Sequence, residues 1–471
     1  MSHNHNFLIV TYPLQGHINP ALQFAKRLVT MGAHVTFTTT IYLHRRLINK
    51  PTIPNLSFAA FSDGYDDGYN SNAIVDLSTY MLELSSRGSE FLRNIILSAK
   101  HGNHPFTCLA YTLLLPWAAN VARELQLPYA LLWIQAATVF DIYYYYLHEH
   151  GDYITNKSKD ATCNIELPGL SFSLKSRDLP SFLQASNIYT FILSSMKEQF
   201  RILDEETNPI VLVNTVDEFE LESVRAIDDK IKMIPIGPLI PSAYLDGKDL
   251  TDTSFGGDVI RVDSEDYIEW LDSKDESSVV YVSFGSFSVL PKKQMEEFAR
   301  ALLDSGLNFL WVIREKKVDE KKEDDELSCK EELEKNVNGK IVKWCSQVEV
   351  LSHSSVGCFV THCGWNSTTE SLVSGVPMVA FPQWTDQSTN AKLIEDVWKC
   401  GVRMDNNRDE EGIVKADEIR RCLELVIGGG EKGEELKRNA EKWKSLGREA
   451  VKEGGSSDKN LKSFLHHIGS I

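Results

Sequence analysis

WCSQVEVLSHSSVGCFVTHCGWNSTTESLVSGVPMVAFPQWTDQ, from Trp344 to Gln387, is the stretch whose reading decides the fold. It opens on an indole and closes on Asp386-Gln387. Between them lie an apolar run, Val356-Gly357-Cys358-Phe359-Val360-Thr361, a polar turn, His362-Cys363-Gly364-Trp365-Asn366-Ser367, and the start of a helix. A buried strand that ends in such a turn and feeds a helix is half of a parallel α/β unit. The turn brings backbone N–H groups, an imidazole and small polar side chains to a helix N-terminus, where the dipole carries about half a positive charge. A diphosphate fits that end.

The chain has 471 residues, too many for one core, and two domains of about 200 residues with a cleft between them are expected. Apolar residues make up 42% and charged residues 24%, and no apolar run reaches the roughly 20 residues of a membrane span. The first residues run into a strand without a basic segment or a signal-type apolar core, so a cytoplasmic protein is expected. A monomer is expected too. Eight cysteines spread over this length read as reduced thiols. Cys345, Cys358 and Cys363 with His362 invite a zinc reading, but no Cys-x2-Cys pair occurs, and no metal is expected. The net charge of −17 argues against nucleic acid or an anionic membrane as partner. A bound anion must be held by local geometry.

Residues 7–11, FLIVT, read as a strand buried on both faces, and residues 13–19 as its connection. Asn19 is expected to cap a helix with Pro20 at its first position, and residues 34–38 to return as a strand. Further strands are expected near 107–111, 129–133 and 210–214, making the first half doubly wound. Residues 1–240 form the expected N-terminal domain, 241–263 a linker and 264–455 the C-terminal domain. A last helix over 456–471 is expected to pack back on the first domain. The charged run 314–335 reads as a solvated surface excursion.

Over Trp344 to Gln387, together with Gly16-His17 and Phe284-Gly285-Ser286, the sequence resembles the plant secondary-product UDP-sugar glycosyltransferases. That resemblance implies the GT-B fold, two Rossmann-like doubly wound α/β domains facing a cleft, and UDP-glucose as co-substrate without a cofactor. The Gly-His-Ile-Asn-Pro and Tyr-Thr-Leu-Leu-Leu-Pro-Trp segments are most similar to the branch acting on anthocyanins and flavonoids, hormone acids and apocarotenoid acids.

The chemistry suits the residues. Trp344 offers a stacking face for uracil, whose edge Gln347 and the Cys345 backbone can bond; a core tryptophan is the plainer reading. Glu370, one helical turn past Asn366, can accept from both ribose hydroxyls, although a carboxylate there is by itself more often a solvated one. His362, Asn366 and Ser367, the Gly364 and Trp365 amides and Ser286 would surround the diphosphate, where donors that tighten as charge develops lower the barrier. Trp384, Asp386 and Gln387 would hold the hexose, and in the family that the sequence resembles a final glutamine goes with glucose more often than galactose.

His17, past the end of the first strand, is by resemblance the general base for inverting attack on the anomeric carbon, with a pKa expected near neutrality. Thr112 occupies the place where many relatives carry an aspartate. A hydroxyl supplies no negative charge, so a weaker base and an already acidic acceptor, a carboxylic acid or phenol, are expected. Gln15, Gly16, Tyr143 and Phe191 are candidates for the acceptor side, with residues 178–183 as further lining. Four consecutive tyrosines, 143–146, cover every side of a helix, so core packing accounts for most of them. Two other readings remain. A dinucleotide-dependent oxidoreductase would need a Gly-x-Gly-x-x-Gly that no strand carries, and a UDP-sugar-binding protein without turnover would not need His17.

Overall fold

The structure, a computed structural model, describes residues 5–47, 52–69, 76–102, 104–184, 190–255, 267–286, 288, 290–314, 327–404 and 408–470. The chain divides into two compact units, one of Met1–Ser176, Phe182–Arg261 and Glu449–Ile471, the other of Arg177–Ser181 and Val262–Arg448.

In the first unit the strands are β1 (Asn6–Val10), β2 (His34–Thr40), β3 (Leu56–Phe61), β4 (Cys108–Thr112), β5 (Tyr129–Trp133), β6 (Ile210–Val213) and β7 (Lys232–Pro235). They form one sheet in the order β3-β2-β1-β4-β5-β6-β7, every pair parallel. Phe7, Leu8, Ile9 and Val10 are wholly buried, as helices on both faces of a parallel sheet require. The order reverses between β1 and β4. Ligands of open α/β sheets bind beyond the strand ends at such a point.

The first helix starts earlier than the proline suggests. It spans Gln15–Thr30 with Leu14 at the N-cap, and Pro20 lies inside it. The N–H groups of His17 and Ile18 both bond the Leu14 carbonyl, so the connecting turn closes into helix, and a proline in the second turn removes one backbone donor without ending it. His17 therefore sits in the first turn of a helix.

Much of the segment expected as a linker is tied to the first unit. Lys26 Nζ meets Asp252 Oδ1 at 2.6 Å and donates to the Ser254 carbonyl, while Ser242 N–H donates to Asp252 Oδ2. Residues 256–263 lie outside the described residues. The final helix, Ser456–Ile468, lies against β7 and its neighbours: Asn460 Nδ2 donates to Asp217 and to the Pro235 carbonyl, and the Phe464 ring sits 6.0 Å from that of Phe7. The unit boundary before it falls between Arg448 and Glu449, inside the helix Glu431–Val451.

The second unit has β8 (Val279–Ser283), β9 (Asn308–Val312), β10 (Gly339–Val342), β11 (Val356–Thr361), β12 (Met378–Ala380) and β13 (Gly401–Arg403), all parallel, in the order β10-β9-β8-β11-β12-β13. This is the 3-2-1-4-5-6 arrangement of dinucleotide-binding sheets, and its order reverses between β8 and β11. Phe284, Phe298, Trp311 and Phe381 pack one face of it. Of the excursion after β9, residues 315–326 lie outside the described residues.

Candidate active site

At the switch point of the first sheet, β1 leads into the helix that carries His17, and neighbouring β4 ends on Thr112, which is 0% exposed. Thr112 Oγ1 accepts from the Tyr12 N–H at 3.0 Å and lies 3.2 Å from His17 Nδ1. The Tyr12 ring stands 5.1 Å from the imidazole. Although the side chain keeps a partial opening to the surface, the protein packed around it pushes the His17 pKa down to about 3. A first-turn position acts in the same direction, because the helix dipole disfavours a cation there. The neutral pKa expected from sequence is therefore not found. His17 is an uncharged imidazole across the physiological range.

Gly16, beside it, is exposed, and a Cβ built there meets nothing within 4 Å. Gln15 and Phe191 are partly exposed, the latter on the helix Thr190–Glu205. Tyr143 is different. It is 1% exposed and packs edge-on to Trp133 at 6.4 Å, so its ring belongs to the core. Tyr145 bonds the Pro168 and Ala226 carbonyls, and Tyr144 stacks on His148.

At the switch point of the second sheet, β8 leads to Gly285-Ser286 and β11 to His362. The imidazole lies in a slot between two glycines: a Cβ on Gly285 would come within 2.4 Å of His362 Nε2, and one on Gly364 within 2.5 Å. Gly285 also holds φ +74, a conformation that suits glycine. Burial pushes the His362 pKa down to about 4; Arg314 nearby adds to this and a backbone bond to Ser283 opposes it. Its Nδ1 is buried with no hydrogen-bond partner among the described residues.

Cys363, next in the turn, takes φ +64, held by its N–H on Thr361 Oγ1 and by Asn390 Nδ2 on its carbonyl. The helix Trp365–Ser374 then starts from Gly364. Trp365, the first residue of this helix, is buried 6.1 Å from the Trp398 ring, and Asn366 beside it is partly exposed.

One turn further, Gln347 Nε2 donates to Ser367 Oγ and to Glu370 Oε2, each at 2.7 Å. Glu370 is 4% exposed, and burial raises its pKa to about 7, against the bond from Gln347. Tyr281 Oη joins the group, 3.4 Å from Cys345 Sγ. Trp344 follows β10 and is partly exposed. In the loop after β12, Gln387 Oε1 accepts from the Gln383 and Trp384 amides at 2.8 and 3.0 Å. Asp386 accepts from Thr385 Oγ1 and from Asn390 Nδ2.

Residues 257–438 match the family described as "UDP-glucoronosyl and UDP-glucosyl transferase". The chain is 58% identical to phloretin 4'-O-glucosyltransferase of Malus domestica over 98% of each, and 57% identical to the chloroplastic crocetin glucosyltransferase of Gardenia jasminoides over 100% of this chain and 98% of that one. The crystal structure of Os79 from O. sativa in complex with UDP superposes with a TM-score of 0.85 at 34% identity, covering 98% of this chain and 100% of that one. The chain belongs to the UDP-glycosyltransferase family. Its two parallel-sheet units are those of the GT-B fold.

For a UDP-glycosyltransferase the donor is a UDP-sugar. Among the described residues no group of His, Cys, Asp and Glu is placed to hold a metal, and no helix is long and apolar enough to cross a membrane. All eight cysteines are free thiols. The second unit gathers Ser286, Cys345, Gln347, His362, Gly364, Asn366, Ser367 and Glu370 about one switch point, and the first brings His17 to Thr112. Of residues 178–183, expected as acceptor lining, Asp178 is bonded to Thr389 and Ser181 to Thr385.

Sequence reading missed Arg314. It ends the β9 segment, donates to the Ser286 carbonyl and acts electrostatically on His362. The available signal was a cation at the carboxyl end of a strand, hidden because it also opens the charged run.

Proposed function

We propose that this UDP-glycosyltransferase transfers glucose from UDP-glucose, with inversion, to a phenol or carboxyl of a small apolar plant metabolite. The reading rests chiefly on the His362 slot, where a half-buried imidazole held between Gly285 and Gly364 stands at a helix N-terminus one turn from the Gln347–Glu370 pair. Uracil lies against Trp344, the ribose hydroxyls on Glu370 and the diphosphate on the Gly364 to Ser367 amides, His362 and Ser286, with Arg314 adding positive charge. Trp384, Asp386 and Gln387 hold the hexose.

His17 takes the acceptor proton as the acceptor oxygen forms its bond to the anomeric carbon, and the bonding pair of the old linkage leaves with UDP. Thr112 Oγ1, with one lone pair committed to the Tyr12 amide, offers the other to Nδ1–H and leaves Nε2 as the base. A base that protonates near 3 is weak, which suits an acceptor that is already acidic. No resident metal takes part in this scheme, and the enzyme works as a cytoplasmic monomer.

Incubation with labelled UDP-glucose and a panel of one flavonol, one anthocyanin, one benzoate and one aliphatic alcohol tests this. Glucose is expected on phenols or acids ahead of the alcohol. Release of UDP at one rate with and without every acceptor would sink the transferase reading.

A further inference from the structure

Arg177–Ser181 comes from the N-terminal half of the sequence, flanked on both sides by first-unit chain, yet it belongs to the second unit. Its anchor is a buried ion pair: Asp178, 2% exposed, meets Arg403, 5% exposed, at 2.8 Å. Arg403 Nη2 also donates to the Arg177 carbonyl at 3.0 Å, and Thr389 Oγ1 to the Asp178 carbonyl at 2.7 Å. Removing one partner of a buried pair strands the other, so the segment is held firmly.

Beyond the anchor, Ser181 grips one residue from both sides. Its N–H donates to the Thr385 carbonyl at 2.8 Å, and its Oγ accepts from the Thr385 N–H at 2.7 Å. Thr385 has φ +59, a left-handed conformation that a β-branched residue adopts only under constraint. It stands between Trp384 and Asp386. The backbone turn at Thr385 sets the directions in which those two side chains leave the chain.

We propose that Arg177–Ser181 is a positioning strap for the donor sugar: Ser181 holds Thr385 in its left-handed turn so that Trp384 and Asp386 present themselves to the hexose, with Asp178 and Arg403 as the fastening. This rests on the reading that Trp384, Asp386 and Gln387 bind the sugar. The bonds described above reach Thr385, Thr389 and Arg403, none of them a residue assigned to uracil, ribose or diphosphate. Its effect is therefore expected at the hexose.

Calorimetric titration of UDP and of UDP-glucose into the full-length protein separates the two roles without any acceptor. In Ser181→Ala, UDP-glucose is expected to bind about tenfold more weakly while UDP stays within about twofold, the scale of one lost buried hydrogen bond. Ser181→Thr keeps the Oγ acceptor and is expected to match the wild type. Unchanged UDP-glucose affinity in Ser181→Ala, equal weakening of both nucleotides, or an equal loss in Ser181→Thr overturns the strap. A wild type that binds neither nucleotide overturns the donor-site reading, and the strap with it.

Discussion

Each sheet places one imidazole just beyond the strand at its switch point, His17 after β1 and His362 after β11, and the two have different surroundings. Burial makes both neutral, with pKa values of about 3 and 4. His17 has a hydroxyl on Nδ1 and a partial opening to the surface, with an open glycine face beside it. His362 is pinned between two glycines, with a backbone bond to Ser283 and a cation nearby. On the proposed reading, one exchanges a proton with a changing set of acceptors and the other holds a fixed anion. Position in the fold brings a histidine to a ligand, and its neighbours decide what it does there.

Exchanging the neighbours or the rings tests that division. His17→Ala is expected to lower kcat by about 10²- to 10⁴-fold while UDP affinity, by titration, stays unchanged. His362→Ala is expected to do both kinds of damage, lowering kcat by about 10²-fold and weakening UDP. If His17→Ala weakened UDP as much, the roles would not be separate. Glu370→Ala is expected to weaken UDP by about 10- to 100-fold, the worth of charge-assisted bonds to the ribose, without changing which acceptors are used.

Thr112→Asp sharpens the contrast from the other side. A carboxylate beside His17 raises its pKa. The wild-type rate profile is expected to be flat in this group from pH 5 to 8, because the base loses its free nitrogen only as pH falls toward about 3. The variant is expected to gain an acid limb inside that range and to gain about tenfold more on an aliphatic alcohol than on a carboxylic acid. Equal changes on both acceptors would refute the acidic-acceptor argument. The smallest effect is expected at Tyr143: Tyr143→Phe is expected to leave kcat/KM within about twofold on every acceptor, since the ring packs on Trp133.

Stability carries the same signatures. In the window from 6.5 down to about 3, the unfolded chain binds a proton on His17 that the folded chain refuses, so stability falls as pH falls. Glu370 runs the other way. Its folded form holds a proton between 4.5 and about 7, so the stability it contributes is lost as pH rises through that range.

The segment proposed for the donor was legible as a strand, turn and helix because its residues are contiguous. Strand β11, the turn and the helix after it follow in one stretch, and the glycines that clear space for His362 are in the sequence. The start of the first helix was misread because proline propensity suggested a cap at Asn19, while the Leu14 carbonyl had already drawn in the His17 and Ile18 amides. The His17 pKa was misjudged since burial is a property of packing. The strap was invisible for another reason: nothing in residues 178–183 announces a partner more than 200 positions away at Thr385 and Arg403. Tyr143 illustrates the converse limit, an aromatic that reads as ligand-facing and is core.

A crystal structure of the protein soaked with UDP tests the central claim most directly. The account predicts the uracil flat against Trp344, the ribose on Glu370 and the diphosphate on the amides from Gly364 to Ser367 with His362 Nδ1 or Nε2 in contact. UDP bound away from the β8–β11 switch point, or His362 left unpartnered with the nucleotide in place, would contradict it.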